Sequence, residues 1–371
     1  MTLALLSHSP AQAEVAVKRL AAQVEIPVDI RALAVSDDAI AVAGREISIL
    51  TKDATEFGTA IKVEGSSARL FTDLISHQGR FFALGVAESL TTLTLTPPSN
   101  LINPDSITAI GSTPQSLGIT RLVLVEFSAT GQLIKESIFD ADQPLLPRTL
   151  RVVGEEIGIV GSIASERGVQ GFFARIDLTG TWLSFTRYGD AQTEVRSLAN
   201  FRTLYGTSSE RLAGSDRRGV SDGVIFSLNN DGQLVRVVRS YLASSERSWD
   251  QVSTAHLAVG PVKRGSNQEV AITKFSAQGD PQWFTRYSGS DPKLDLRTVG
   301  FITSKKLTGI ARISSRGKNA VFIEYASKGF NRQGTITAVR SIPARNLIDL
   351  ADGHAIIAGR DGRFQLVPLA P

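Results

Sequence analysis

Apolar and polar residues alternate with a period of two along most of this chain, in short runs closed off by Gly, Asn and Asp. Successive side chains of a strand point to opposite faces, so the pattern predicts strands joined by tight turns. Gly171-Phe-Phe-Ala-Arg-Ile-Asp-Leu-Thr-Gly180, followed by Trp182-Leu-Ser-Phe-Thr-Arg-Tyr188, recurs as Ala271-Ile-Thr-Lys-Phe-Ser-Ala-Gln-Gly279 and Trp283-Phe-Thr-Arg-Tyr287. The two segments are copies of one unit, and almost no stretch has helical periodicity.

Seven β-type runs carry a glycine in similar company, at Gly44, Gly85, Gly161, Gly214, Gly260, Gly309 and Gly359. Their spacing is 41 to 53 residues except for one interval of 76, and a four-stranded propeller blade takes about 40–50. A second glycine marks a hairpin turn in most units (Gly58, Gly131, Gly180, Gly232, Gly279, Gly334), where Gly tolerates positive φ. Each unit reads as strand a, strand b ending near the first glycine, strand c, the second glycine and strand d. The expected fold is all-β, a seven-bladed β-propeller of four-stranded blades forming one domain over residues 14–371. The seventh unit has strand a at 346–350, b at 354–358 and c at 364–369, and lacks strand d. Glu14–Leu20 supplies a spare strand, and pairing it there would close the last blade and remove two exposed edges. The long interval places an insertion rich in Thr, Pro, Ser and Asn at about 90–119 in the second blade, expected to be an ordered excursion.

Composition narrows the function without naming it. The chain has no cysteine, which excludes disulfides, thiolate metal sites and cysteine nucleophiles. It has no run of eighteen apolar residues, so no membrane-spanning helix is expected. A formal charge of +4 is too small an excess to imply nucleic acid. Residues 1–13 read as a signal-peptide remnant or a disordered tail: Leu3-Ala4-Leu5-Leu6 is a short apolar run, and Ala11-Gln12-Ala13 has the small-x-small form of a cleavage site. An extracytoplasmic, monomeric protein is the expectation.

Asp222-Gly-Val-Ile-Phe-Ser-Leu-Asn-Asn-Asp-Gly232 and Asn267-Gln-Glu-Val-Ala-Ile-Thr-Lys-Phe-Ser-Ala-Gln-Gly279 resemble the repeat of bacterial secreted β-propeller proteins. The similarity is good over about 150–287 and looser in the first, second and last units. It implies the fold and an extracytoplasmic setting; that family has no shared reaction, so no catalytic residue carries over.

Catalytic signals are weak. His8, His77, His256 and His354 are too dispersed for a zinc site, and no nucleophile elbow, His-Glu-x-x-His, Walker loop or calcium loop appears. The pairs Asp37-Asp38 and Glu155-Glu156 fall at a–b turns, where solvated polar residues are expected. No catalytic residue, metal or cofactor is therefore assigned.

One pattern rises above this background. Counting back from each blade glycine gives Arg31, Arg148, Arg202, Arg247, Arg297 and Arg345 at or just before the start of strand a, with Thr72-Asp73 in the second blade. Basic b–c turns at Arg167, Arg217-Arg218, Lys263-Arg264 and Arg316 would lie on the same face. Guanidinium groups around one mouth of a channel favour bidentate binding of carboxylate or phosphate. The competing reading makes each arginine a bridge between neighbouring blades. The leading function is thus an exported binding or scaffold module for an acidic polysaccharide, envelope polymer or protein segment. A propeller-type enzyme (polysaccharide lyase, hydrolase or quinoprotein) and a structural, oligomer-forming envelope component are the alternatives, and nucleic acid is disfavoured for want of aromatic residues among the basic ones.

Overall fold

A computed structural model describes residues 31–51, 61–94, 112–116, 118–288, 300–303, 307–313, 319–326, 335–343, 346–351, 354–358 and 364–368. The expected strand Glu14–Leu20 and the signal-like segment lie outside them.

All described regular structure is β. The first sheet is built in chain order from Ala32–Val35, Ala39–Ala43, Ile47–Thr51 and Ile61–Lys62, each antiparallel to the next. The second contains Leu70–His77, Arg80–Ala87, Arg121–Ser128 and Leu133–Asp140. A separate antiparallel pair, Leu90–Thr94 with Ser112–Ser116, is inserted between its second and third strands. The third runs Leu145–Val153, Glu156–Ser165, Gly168–Asp177, Trp182–Tyr188, and the fourth Thr193–Asn200, Thr203–Ser208, Asp222–Leu228, Leu234–Ser240. In the fifth the inner strand is split into Glu246–Arg247 and Gln251–Val252, followed by Leu257–Arg264, Asn267–Phe275 and Pro281–Ser288. Gly300–Thr303, Leu307–Ile313, Asn319–Ala326 and Thr335–Pro343 form the sixth; Asn346–Ala351, His354–Ala358 and Phe364–Pro368 form a three-stranded seventh.

The first strands of successive sheets lie beside one another, and that of the seventh lies beside that of the first. Between the sheets sit separate hydrophobic cores, and successive residues of a strand enter them alternately. In the second sheet Phe81 and Ala83 face the first sheet while Phe82 and Leu84 face the third. In the third sheet Phe172 packs toward the second and Phe173 toward the fourth. Strands b and c, covered on both faces, are continuously buried, whereas strand d at the rim is mixed. Each large side chain so buried contributes about 1.5–3 kcal/mol.

One unit was misplaced by its glycine marker. Gly214 sits in the connection after the fourth sheet's second strand, at φ +77° with open space around its α-carbon. The equivalent of Gly85, Gly161 and Gly260 is Gly206, inside Thr203–Ser208. There the inner strand crosses so closely that a β-carbon on Gly206 would lie 1.9 Å from the Glu194 carbonyl oxygen, as one on Gly260 would from Ser248.

Candidate functional site

The strand order places the starts of the inner strands and the b–c connections at one end of the molecule. Arg31 precedes the first inner strand and is exposed, its backbone N–H donating to the Ala43 carbonyl at 2.7 Å. Arg148 lies within the third inner strand, at a bulge, 3.6 Å from Glu194 of the fourth sheet. Arg167 and Arg218 occupy b–c connections at this end, Arg264 ends strand Leu257–Arg264 there, and all three are exposed; Arg218 packs over the Tyr241 ring and donates to its hydroxyl at 3.1 Å. Arg247 belongs to the fifth inner strand.

Arg202 is a correction. Because Gly206 rather than Gly214 is the repeat glycine, Arg202 falls in the a–b turn between Thr193–Asn200 and Thr203–Ser208, at the opposite end, where its guanidinium bonds to Asn230. Arg297, Arg316 and Arg345 lie outside the described residues.

The residue that Arg202 displaced is Arg196. It occupies the same bulge position as Arg148, next to the partner of the repeat glycine. Its guanidinium donates to Asp250 at 2.6 Å, Ser248 Oγ at 3.1 Å and Glu194 at 3.1 Å, joining the fourth and fifth inner strands. Burial works against its charge, but Asp250 and Glu194 outweigh burial and hold the proton more tightly than usual. Further along the inner strands, Arg151 of the third sheet reaches across to the Val252 carbonyl of the fifth, 2.7 Å away. Beside it Asp73 accepts hydrogen bonds from the N–H groups of Leu150 and Leu74. Burial nevertheless pushes the Asp73 carboxyl up to about 7, with those N–H groups and Arg151 acting in the opposite direction. Arg151 itself is lowered by burial, with Asp73 pulling the other way. Thr72-Asp73 was visible as the second blade's exception to the arginine pattern; Arg151 had no signal, since its partner is a backbone carbonyl of a distant blade.

Between the third, fourth and fifth sheets, at the end that carries the b–c connections, a cleft of about 530 Å³ opens, lined by Gln192, Glu194, Arg196, Arg247, Ser248 and Lys263 among others. Lys263 pairs with Glu246 at 3.5 Å. Arg247 is different. Its guanidinium carbon lies 4.3 Å from the centre of the Trp249 ring, and it makes no hydrogen bond or ion pair from its head group among the described residues. Its Nε is buried without a partner. Burial and the neighbouring Arg286 lower its pKa to about 10. With Nε buried and one face of the guanidinium covered by the Trp249 ring, an anion reaching its open side meets a partly desolvated cation.

Stacked antiparallel sheets around a common set of inner strands define a propeller-type fold. Comparison with solved structures agrees. The chain is similar to the WD40 domain of coronin from Toxoplasma gondii (TM-score 0.56, 12% identity, 94% of this chain and 84% of that one). It is likewise similar to the WD40 β-propeller domain of Doa1 (0.53, 10%, 94% and 96%) and to a protein from Lactobacillus plantarum (0.51, 9%, 85% and 85%). At such identities the likeness shows the fold alone. No family model and no curated protein matches the chain.

Proposed function

We propose that this chain is a non-enzymatic binding or scaffold propeller that holds a carboxylate or phosphate group of its ligand against Arg247. The observation that carries the reading is the ring-stacked Arg247 guanidinium, which lines an open cleft with its Nε buried and makes no ion pair among the described residues. Glu194 and Glu246 in the same cleft would repel a dense polyanion, so an acidic protein segment with spaced charges suits it better than polyphosphate or a highly charged polysaccharide. A ring of seven blades, with Glu14–Leu20 completing the three-stranded seventh sheet, is supported by the order of neighbouring inner strands. Export is proposed from the signal-like residues 1–13.

The bridging reading has its own support for other arginines: Arg148 and Arg196 face carboxylates of the next inner strand or their own. On this division of labour Arg196 holds the blades and Arg247 binds. The test titrates a Glu-rich peptide, polyphosphate and a neutral peptide into the full chain and into R247Q, at low and moderate salt. Charge-assisted hydrogen bonds are worth about 1.5–3 kcal/mol, so R247Q is expected to bind the acidic peptide about 10- to 100-fold more weakly with unchanged melting temperature. Equal affinity of the two chains for every anion would overturn the assignment.

A further inference from the structure

A second feature of the same cleft wall is independent of Arg247. The carboxylate of Glu210, in the loop after the fourth sheet's second strand, sits on three consecutive backbone N–H groups. Oε1 accepts from Asp190 at 3.0 Å and Gln192 at 3.2 Å and takes the Thr193 hydroxyl; Oε2 accepts from Asp190 at 3.0 Å and Ala191 at 3.1 Å. Successive N–H groups converging on one point form an anion-binding concavity.

The concavity does not owe its shape to Glu210. Every carbonyl of the segment is held from the other side. Gly189 accepts from Gln170 Nε2 at 2.8 Å, Asp190 from Ser165 Oγ at 2.8 Å, Ala191 from the Val169 N–H at 2.8 Å and Gln192 from the Ser209 N–H at 3.0 Å. With the carbonyls fixed toward the third sheet and the loop base, the N–H groups turn inward as a set. Gly189, at φ +78°, leaves the room: a β-carbon there would lie 2.3 Å from Glu210 Oε1. Glu210 is anchored separately, its backbone N–H donating to Ser208 Oγ at 3.2 Å and its carbonyl accepting from buried Arg239. Ala191, Gln192 and Thr193 line the open cleft, and Glu210 itself is partly exposed, so the concavity lies at the cleft's edge.

We infer that residues 190–193 form a preorganised carboxylate receptor, occupied in cis by Glu210, which an acidic side chain of a ligand peptide entering the cleft can occupy in its place. The ligand class follows from the occupant: a planar group with two oxygens, each taking two or three donors. Burial alone would raise the Glu210 carboxyl, yet the Thr193 hydroxyl and the three N–H groups bring it below its usual range, as a receptor for the ionised form should.

The experiment removes the internal occupant from the full chain and offers acetate. Melting temperatures of the parent chain and E210A are measured as sodium chloride is exchanged for sodium acetate at constant ionic strength. E210A is expected to melt lower than the parent and to recover saturably with acetate, by more than any response the parent gives through Arg247. In E210A/T193V, which lacks the hydroxyl donor, the acetate midpoint is expected to rise several-fold. If E210A does not fold, E210Q replaces it, with greater stabilisation by acetate than the parent expected. An acetate response no larger in the vacated chain than in the parent overturns the receptor. So does a response that disappears in E210A/R247Q, since acetate would then be reading Arg247. Loss of acidic-peptide binding in R247Q with acetate recovery intact in E210A/R247Q separates the two sites.

Discussion

Arg196 on the fourth inner strand places its Nη1 2.6 Å from Asp250 Oδ1 on the fifth, while its Nε lies 3.1 Å from Glu194 on its own strand. Both ends of the Arg196–Asp250 contact are about three-quarters shielded from solvent, so the bond joins two blades where water competes poorly. R196Q is therefore expected to lower unfolding free energy by about 1.5–3 kcal/mol, the range for hydrogen bonds to charged groups. Arg148 at the equivalent bulge is half-exposed and 3.6 Å from its carboxylate, and R148Q should cost less than about 1 kcal/mol. Urea unfolding of both variants checks the order; equal losses would mean that the geometry of the pair does not set its strength.

The two glycines of the fourth unit make a second prediction. G206A drives a β-carbon into the Glu194 carbonyl oxygen and the inner strand behind it, so the blade must open. Overpacking of this kind costs about 1–3 kcal/mol or more. G214A meets nothing and bears only the left-handed backbone penalty, about 1–2 kcal/mol. Thermal unfolding should rank G206A well below G214A; the reverse order would return Gly214 to the repeat.

That pair also shows what was legible in the sequence and what was not. Strand alternation and the hairpin glycines read correctly where the chain repeats itself: Gly131, Gly180, Gly232 and Gly279 all take positive φ in the turn before strand d. The Leu-Ala-Gly at 212–214 looks like the end of a strand because apolar residues precede a glycine, but Leu212 is the buried foot of a loop. The real marker, Tyr205-Gly206-Thr207, puts a tyrosine before its glycine where the other units have Ala, Leu, Val or Thr. Placing the marker eight residues late put the arginine count on Arg202, at the wrong end of the molecule, and Arg196 stands closer to Gly206 than Arg148 and Arg247 stand to their glycines. Arg247 was found, yet its distinction, a head group without an ion pair among the described residues, depends on how other blades place their carboxylates. Residues 190–193 escaped altogether, since a receptor made of backbone N–H groups leaves no side-chain signature.

Asp73 makes stability depend on pH in the direction opposite to most carboxylates. Burial raises its folded pKa to about 7, far above the unfolded value of about 3.9. Between these values the folded chain keeps a proton that the unfolded chain has lost, so this group's contribution to stability falls as pH rises from about 4 to about 7 and is then level. Glu210, with its pKa depressed, contributes in the opposite sense: its share is complete above the unfolded glutamate pKa and is lost as pH falls toward the folded one. The difference in unfolding free energy between the parent chain and D73N isolates the first effect. The parent is expected to lose ground to D73N steadily over that window, and a flat difference would show that Asp73 is ionised in the fold.

Asp222 and Arg239 form the most deeply buried ion pair among the described residues, 3.2 Å apart with side-chain exposures of 0% and 4%. Together they tie down the loop that carries Glu210 and Arg218. Asp222 accepts the N–H groups of Gly219 at 2.7 Å and Arg218 at 3.0 Å, while Arg239 donates to the Ser215 carbonyl at 3.1 Å. Removing one partner of such a pair strands the other charge, which costs about 3–5 kcal/mol, so D222A should be severely destabilised. D222N keeps the shape and one acceptor, and the loss should be smaller but concentrated in the loop. Limited trypsin digestion under native conditions tests this, because Arg211, Arg217 and Arg218 all lie between residues 209 and 221. Faster cleavage there in D222N, with the rest of the chain resistant, is the expected result. Cleavage at the parent rate would mean that the Glu210 carboxylate on its N–H groups is enough to hold the loop shut without Asp222.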